Sequence, residues 1–414
     1  MASTAAVEII AGNEELAVEI LQYLPAKSLI RFKSVSKAWL SFISTPRFSL
    51  LWQSHHHPKV SGLFFNPRYR TETIKYIPLT HSDDLRNQCD IATVINGGGE
   101  NNSPPLFMYA RIIDSRNGFL LVFFNKKQSC SSGWSRSYHV YNPTTKQFST
   151  LPWPFPVTFT GLGDINPYLV FDPLKSLHYK VVLVQASEHG NPYLYQIHIY
   201  SSGTNDWRTS PLGDSHPSPK SLNKSLNSVE LNEGVYCNGS IHWISYRAYN
   251  TSLYFDVDQE RFCPMPTPPY NYTAGCDLFG ESGGHLHYFK YYDDMGFNVD
   301  IWEMVSDYSK WTTKYRVCLN TTTMVVDLAI KDTAVEETTL SLIGGEDEGD
   351  AVLVLVVRTE MNYMIISYNI KENTLRKLGD VPRRPVRSWY DGPASSSWRT
   401  HPRVHSYIET LFPV

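Results

Sequence analysis

The sequence predicts a small all-α head followed by an all-β body, arranged as a β-propeller of six blades, with a β-sandwich pair as the alternative. Three observations lead there. Apolar residues up to about His57 recur at helical spacing. From about Lys59 the chain turns to short β-rich runs separated by turn clusters. Within that body one short pattern recurs five times at a near-regular period. A length of 414 residues suits one large repeat-built domain or two unequal ones, and an aromatic share of 13% favours strands over helices.

The head is read first. Leu16, Ile20 and Leu24 follow one another at steps of four, and Pro25 then breaks the helix. Leu29, Phe32, Val35, Trp39 and Phe42 continue at steps of three and four. Thr45-Pro46 supplies a hydroxyl N-cap and a proline at the first helical position, opening a last helix through Phe48, Leu51 and Trp52. Three or four short helices result. From Ile20 to Thr71 there is no Asp or Glu, whereas Lys27, Arg31, Lys33, Lys37, Arg47, Lys59, Arg68 and Arg70 are basic. Such a surface suits an acidic protein better than DNA, because the helices are short and carry no base-reading set of Arg, Asn or Gln. A plain solvated basic face is the bland alternative. His55-His56-His57 reads as an exposed polar helix end.

In the body, Tyr141 to Phe148, Tyr200 to Trp207, Phe255 to Phe262, Met304 to Trp311 and Tyr368 to Leu375 share one plan. A large apolar residue is followed by a polar turn and a second large apolar residue seven positions on. Residues separated by an odd number across an even-numbered loop oppose one another, so each pair is expected across a hairpin. Asn142, Ser201, Asp256 and Asn369 stand just after the first member, with Val305 in the remaining copy. Apolar runs suited to inner strands precede the copies at 118–124, 179–185, 239–244, 285–289 and 351–357. The copies start 49 to 64 residues apart, close to the roughly 50-residue period of kelch-type blades. A sixth blade is expected from Leu63 to Leu79 with His405 to Leu411, joining both ends of the body.

Composition and motifs narrow the chemistry. A net charge of −3 excludes both a polybasic nucleic-acid coat and a polyacidic disordered chain. The six cysteines lie apart without a C-x-x-C pair, so free thiols are expected rather than zinc or a disulfide scaffold. Met1 to Glu15 lacks the basic start and apolar run of a secretory signal, and the longest apolar run, Val352 to Val357, is too short to span a bilayer. A cytoplasmic and/or nuclear protein without membrane or nucleic-acid partners is the expectation. Gly280-Glu-Ser-Gly-Gly284 matches G-x-S-x-G, but strand-like residues follow it instead of a helix, so Ser282 is expected in a turn. His285 and His287 share a strand face without an identifiable third metal ligand. The segments 96–103 and 345–350 read as a glycine-rich loop and a solvated acidic connection. No catalytic residue, metal or cofactor is expected.

These residues also carry a resemblance. Glu15-Leu-Ala-Val-Glu-Ile-Leu-Gln-Tyr-Leu-Pro25, Ala26 to Trp39 and Phe42 to Phe48 resemble an F-box. Tyr141 to Phe148, Phe171-Asp-Pro173 with Tyr179-Lys-Val-Val182, Tyr195 to Tyr200, Gly280 to His285 and Lys314-Tyr-Arg316 look like the F-box-associated, kelch-like domain of a large plant family. The resemblance departs at Gly12-Asn13, where a Leu-Pro pair usually opens the first helix. It implies a non-catalytic substrate receptor of a Skp–cullin–F-box ubiquitin ligase. The division would be a tail at 1–13, an F-box at 14–57 and a substrate-binding propeller at 58–414. By motif position, Leu16, Ile20, Leu24, Pro25, Leu29, Phe32, Val35 and Trp39 would form the F-box core and the face for a Skp-type adaptor. Binding of a protein substrate is expected from loops among 82–105, 125–137, 213–232, 320–350 and 381–403, with Trp134, Trp389, Tyr390 and Trp398 as anchors.

Overall fold

Local sequence explains each helix of the head. Helix α1 (Glu14–Leu21) stops before Pro25, whose extended backbone (φ −58°, ψ 147°) precedes α2 (Ala26–Phe32). The Ser36 side chain caps α3 (Lys37–Ile43) by accepting from the Trp39 N–H at 3.1 Å. Thr45 caps α4 (Pro46–His56) through the Phe48 N–H at 3.2 Å, as the Thr45-Pro46 pair predicts. Ala17, Leu21, Ala26, Leu29, Phe42, Ile43, Phe48 and Trp52 form the helical core, and the Trp52 indole donates to the Leu24 carbonyl at 2.8 Å. The computed structural model describes residues 14–56, 59–66, 74–79, 108–127, 134–152, 167–186, 195–211, 233–245, 251–269, 277–292, 297–319, 337–344, 351–359, 362–383 and 403–414. Among these, no helix is long and apolar enough to cross a membrane.

The body is built from antiparallel hairpins. Strands β1 (Val60–Asn66) and β2 (Lys75–Pro78) pair first. A second sheet holds β3 (Met108–Arg116), β4 (Phe119–Lys127), β5 (Trp134–Asn142) and β6 (Gln147–Thr150). The third holds β7 (Pro167–Val170), β8 (Lys180–Ala186), β9 (Tyr195–Ser201) and β10 (Asp206–Thr209). The fourth holds β11 (Val235–Cys237), β12 (Ser240–Trp243), β13 (Ser252–Asp256) and β14 (Arg261–Met265). The fifth holds β15 (Asp277–Ser282), β16 (His285–Tyr292), β17 (Phe297–Met304) and β18 (Trp311–Leu319). The sixth holds β19 (Glu337–Ile343), β20 (Val352–Arg358), β21 (Asn362–Asn369) and β22 (Thr374–Pro382). Finally β23 (Arg403–Ile408) returns to pair with β1, placing Ser406 and Ile77 on either side of Leu63.

The first strands of successive sheets close a ring. β3 touches β7, β7 touches β11, β11 touches β15, β15 touches β19, β19 touches β23, and β23 touches β3. This is a six-bladed β-propeller, and the ring excludes the sandwich alternative. The first blade, made from both ends of the body, is the one expected from 63–79 and 405–411. The apolar runs read as inner strands are β4, β8, β12, β16 and β20, one place out from the hub. Being covered by neighbouring blades on both faces, they read as continuous apolar runs, and Leu353 to Val357 are all buried.

All five repeated pairs are opposed: Tyr141 with Phe148, Tyr200 with Trp207, Phe255 with Phe262, Met304 with Trp311 and Tyr368 with Leu375. The polar residue after the first member closes the turn. Asn142, Asp256 and Asn369 accept from backbone N–H groups two or three residues on at 2.8 to 3.3 Å, and Ser201 accepts from Gly203 N–H at 3.3 Å. Each of these four turns ends on a left-handed residue: Lys146, Asn205, Glu260 or Asn373. With Val305 in that place, the fifth turn spans the same offset but closes instead through Asp307, which accepts from Ser309 N–H at 2.8 Å, and its left-handed residue is Tyr308.

In such a meander the first and third turns of a blade fall on one side, and the second turn and the link to the next blade on the other. The tight turns at 117–118, 143–146, 202–205, 238–239, 257–260, 283–284 and 370–373 therefore share a side. The head is on that side too. Leu411, three residues past β23, is buried in the helical core with Leu29 and Trp52, while Phe412 packs at 5.5 Å on Phe171 of the third blade. Asn142 holds this tail, its Nδ2 donating to the carbonyls of Thr410 (3.1 Å) and Phe412 (2.8 Å).

Candidate functional site: an apolar head face and a charged hub

Helix α1 is apolar on both faces. Ala17 and Leu21 point into the core, whereas Leu16, Ile20 and Tyr23 are 43%, 49% and 60% exposed in one row along the opposite side. Pro25 and, at 62%, Val35 are also exposed. Leu24, Phe32 and Trp39 are half-buried against the core, with the Phe32 and Trp39 rings edge-on at 5.3 Å. Leu29 is fully buried and lies beneath this surface, in the core. Sequence reasoning missed Tyr23 and Leu40, both exposed; the signal for Tyr23 was its place one turn beyond Ile20. Lys27, Arg31, Lys37 and Arg47 are exposed among these residues. Burial lowers the Lys33 ammonium pKa.

Trp134 opens β5 opposite Lys127. Trp389, Tyr390 and Trp398 lie outside the described residues, as do Gly12-Asn13, the loops 82–105 and 213–232, and the segments 96–103 and 345–350. The strand ends joined across 128–133, 187–194, 320–336 and 384–402 all lie on the side away from the head.

At the hub, Arg116 ends β3 beside the tight turn at 117–118. Its Nη1 donates to Glu281 Oε2 at 2.8 Å, and its Nε lies 3.5 Å from Asp114. Glu281 belongs to the fifth blade and Arg116 to the second, which face each other across the ring. Asp114 also accepts from the Leu169 N–H of the third blade at 3.0 Å. Burial raises the Asp114 pKa, against the pull of Arg116. The guanidinium is also 5.6 Å from the Tyr236 ring centre.

The residues that raised chemical possibilities are otherwise engaged. Ser282 sits in the β15–β16 hairpin and donates to the Gly344 carbonyl of the next blade at 2.7 Å, which makes it a blade tie rather than a nucleophile. His285 and His287 flank Glu303 at 3.8 and 3.2 Å, and the Lys314 ammonium shares that carboxylate at 3.4 Å. Burial lowers the His287 pKa, with Glu303 opposing. Among the described residues no group of three His, Cys, Asp or Glu is arranged to hold a metal ion. Cys237, Cys263 and Cys318 are free thiols, and burial pushes Cys237 up to about 12, far from a reactive thiolate.

Comparison with known proteins agrees with this architecture. Residues 13–51 match the F-box domain and residues 99–380 the F-box associated beta propeller domain. The F-box protein At5g07610 of Arabidopsis thaliana is 29% identical over 399 residues, covering 91% of this chain and 88% of that protein. F-box protein At4g19940 of the same plant is 24% identical over 390 residues, covering 88% and 84%. Among solved structures, the β-propeller domain of the Trilobed protease from Pyrococcus furiosus aligns at a TM-score of 0.33 with 7% identity, over 66% of this chain and 84% of that one. With its propeller matched along most of its length and an F-box preceding it, the chain belongs to the F-box-associated β-propeller family.

Proposed function

We propose that the protein is the substrate-recognition subunit of a Skp–cullin–F-box ubiquitin ligase. Residues 14–57 dock on a Skp-type adaptor and 58–414 capture the protein to be ubiquitinated, in the cytoplasm, the nucleus or both. The chain itself is non-catalytic; other subunits transfer ubiquitin. The observation that carries this reading is the exposed apolar row Leu16, Ile20 and Tyr23 on a domain matched as an F-box. Its position supports the division of labour, because the head and the strand ends that the long connections join lie at opposite ends of the propeller. An adaptor bound at one end leaves the other clear for a target.

The test is co-purification of the adaptor with the Ile20→Asp, Tyr23→Asp double variant, read beside target capture and target ubiquitination. Because both side chains are exposed, folding is expected to survive; adaptor binding and ubiquitination are expected to be lost and capture retained. Point variants are preferable to deleting the head, which would uncover Leu411. Undiminished adaptor binding would refute this face, and a wild-type chain that captures a target without any adaptor would favour an adaptor-independent binding protein.

A further inference from the structure

Two neighbouring residues near the end of the chain belong to different cores. Leu411 is buried in the head among Leu29, Phe48 and Trp52. Phe412 is buried in the propeller, with Phe119 of the second blade and with Phe171 and Tyr179 of the third. Leu50 of α4 packs against that same propeller cluster, so the two cores meet at the tail. Otherwise the chain passes from α4 to β1 through only residues 57–59. A head held by one such covalent link alone is free to rotate about it.

Polar bonds seat the tail on the second blade. Asn142 is fully buried and uses both ends of its amide. Its Oδ1 accepts from the N–H groups of Thr144 and Thr145 at 2.9 and 3.3 Å, while its Nδ2 donates to the carbonyls of Thr410 and Phe412 at 3.1 and 2.8 Å. An acceptor is all that the turn requires, as Ser201 and Asp256 show at the equivalent places. The amide donor therefore serves the tail. Thr144 adds to the seat, its Oγ1 accepting from the Thr410 N–H at 3.1 Å and lying 2.6 Å from the Tyr407 hydroxyl. Gly118, at φ +86°, leaves room for the tail: a Cβ there would stand 2.3 Å from Thr410 Cγ2 and 2.6 Å from the Ile408 carbonyl oxygen.

We propose that this tail is the joint that fixes the head on the propeller, with Leu411 and Phe412 as its pins and Asn142 as the positioning residue that seats them. This deepens the receptor reading and rests on it. With the adaptor at one end and the target at the other, a fixed joint holds the target at one distance and angle from the subunits that transfer ubiquitin. The effective concentration of its lysines at that point is raised accordingly. A swinging head would spread the same lysines over a wide volume at equal affinity for both partners.

The test uses the full chain with Asn142→Ser and, separately, Phe412→Ala. Serine keeps the turn acceptor, as Ser201 does, and removes the amide donor to the tail. Spin labels on noncanonical residues at positions 47 and 371, exposed on the head and on a tight turn of the sixth blade, report the distance between the two halves. One narrow distribution is expected for the wild type and a broadened one for both variants. Thermal melting verifies that each variant is folded at the assay temperature, and Asn142→Ser carries the test where Phe412→Ala does not fold. Ubiquitin transfer is read on a surrogate target, a nanobody selected on the propeller end away from the head, with its own lysines as acceptors. Its turnover is expected to fall about fivefold or more in the variants, with nanobody affinity, KM and adaptor affinity unchanged. Mere loss of stability would not give that split. The control Arg376→Ala, exposed on the outermost strand β22, is expected to match the wild type throughout. A broad distribution in the wild type, or a narrow one kept by the folded variants, would overturn the joint. Broadened distances with undiminished transfer would overturn its positioning role and leave the receptor reading standing. A wild-type chain that binds no adaptor would remove the receptor reading, and the positioning role with it, while the distances would still report the joint.

Discussion

Arg116 and Glu281 are separated by 165 positions in the chain and joined by one hydrogen bond of 2.8 Å across the hub. Their side chains retain 16% and 23% exposure, so the pair is neither a screened surface contact nor fully desolvated. Such a pair is expected to show a coupling energy of about 1–3 kcal/mol in a double-mutant cycle of Arg116→Met and Glu281→Gln. Urea denaturation measures it. Additive single effects would mean that the pair contributes shape but no energy.

Trp207 ties two blades together, its indole donating to the Pro152 carbonyl of the preceding blade at 2.7 Å, as Trp311 does to Pro266 at 3.0 Å. Because Trp207 is only half-buried, Trp207→Ala is expected to destabilise by about 2–3 kcal/mol, below the roughly 3–5 of a fully buried tryptophan. Trp207→Phe keeps most of the packing on Tyr200 and is expected to lose about 1 kcal/mol. A smaller loss from the alanine variant than from the phenylalanine variant would contradict this assignment.

Leu29 and Ile20 separate stability from docking within one small domain. Leu29→Ala empties a fully buried site and is expected to lower stability by about 2–5 kcal/mol. Ile20→Ala is expected to leave the melting temperature nearly unchanged while weakening adaptor association in a titration. Equal melting behaviour of the two variants would show that the apolar row is structural.

His242 gives the fold an acid limit. Its Nδ1 lies 3.2 Å from the Val235 carbonyl and its Nε2 2.6 Å from the Tyr308 hydroxyl, and burial lowers its pKa from 6.5 to about 4. The unfolded chain takes up this proton below pH 6.5, whereas the native state resists until about pH 4. Stability is thus full above the unfolded pKa, falls as the pH drops through this window, and levels off below it. At pH 5 the loss from this group is about 2 kcal/mol relative to neutral pH. Urea midpoints for wild type and His242→Gln at both pH values check it, and the variant is expected to lose about that much less on acidification.

The blade plan was legible because each hairpin pair lies seven residues apart and its turn residue sits inside the pattern, as with Tyr141, Asn142 and Phe148. The tie from Ser282 to Gly344 was not, since it joins neighbouring blades and depends on where two turns meet. Likewise, helical spacing put Leu16 and Leu29 into one apolar set. Periodicity reports that a residue is apolar on a helix, while the choice between core and surface depends on the other helices and on Leu411, which is remote in sequence. Arg116 and Glu281 carry no local motif at all; only ring closure brings them together.

The return of β23 to β1, with Leu411 filling the head, also sets an order of events during synthesis. Ribosomes deliver a chain from its N-terminus, so the earliest blade and the helical core both wait for residues beyond 402 to emerge. A message cut short before that point would yield neither a closed ring nor a finished head. One late segment thus completes two parts of the fold that the order of synthesis separates by most of the chain.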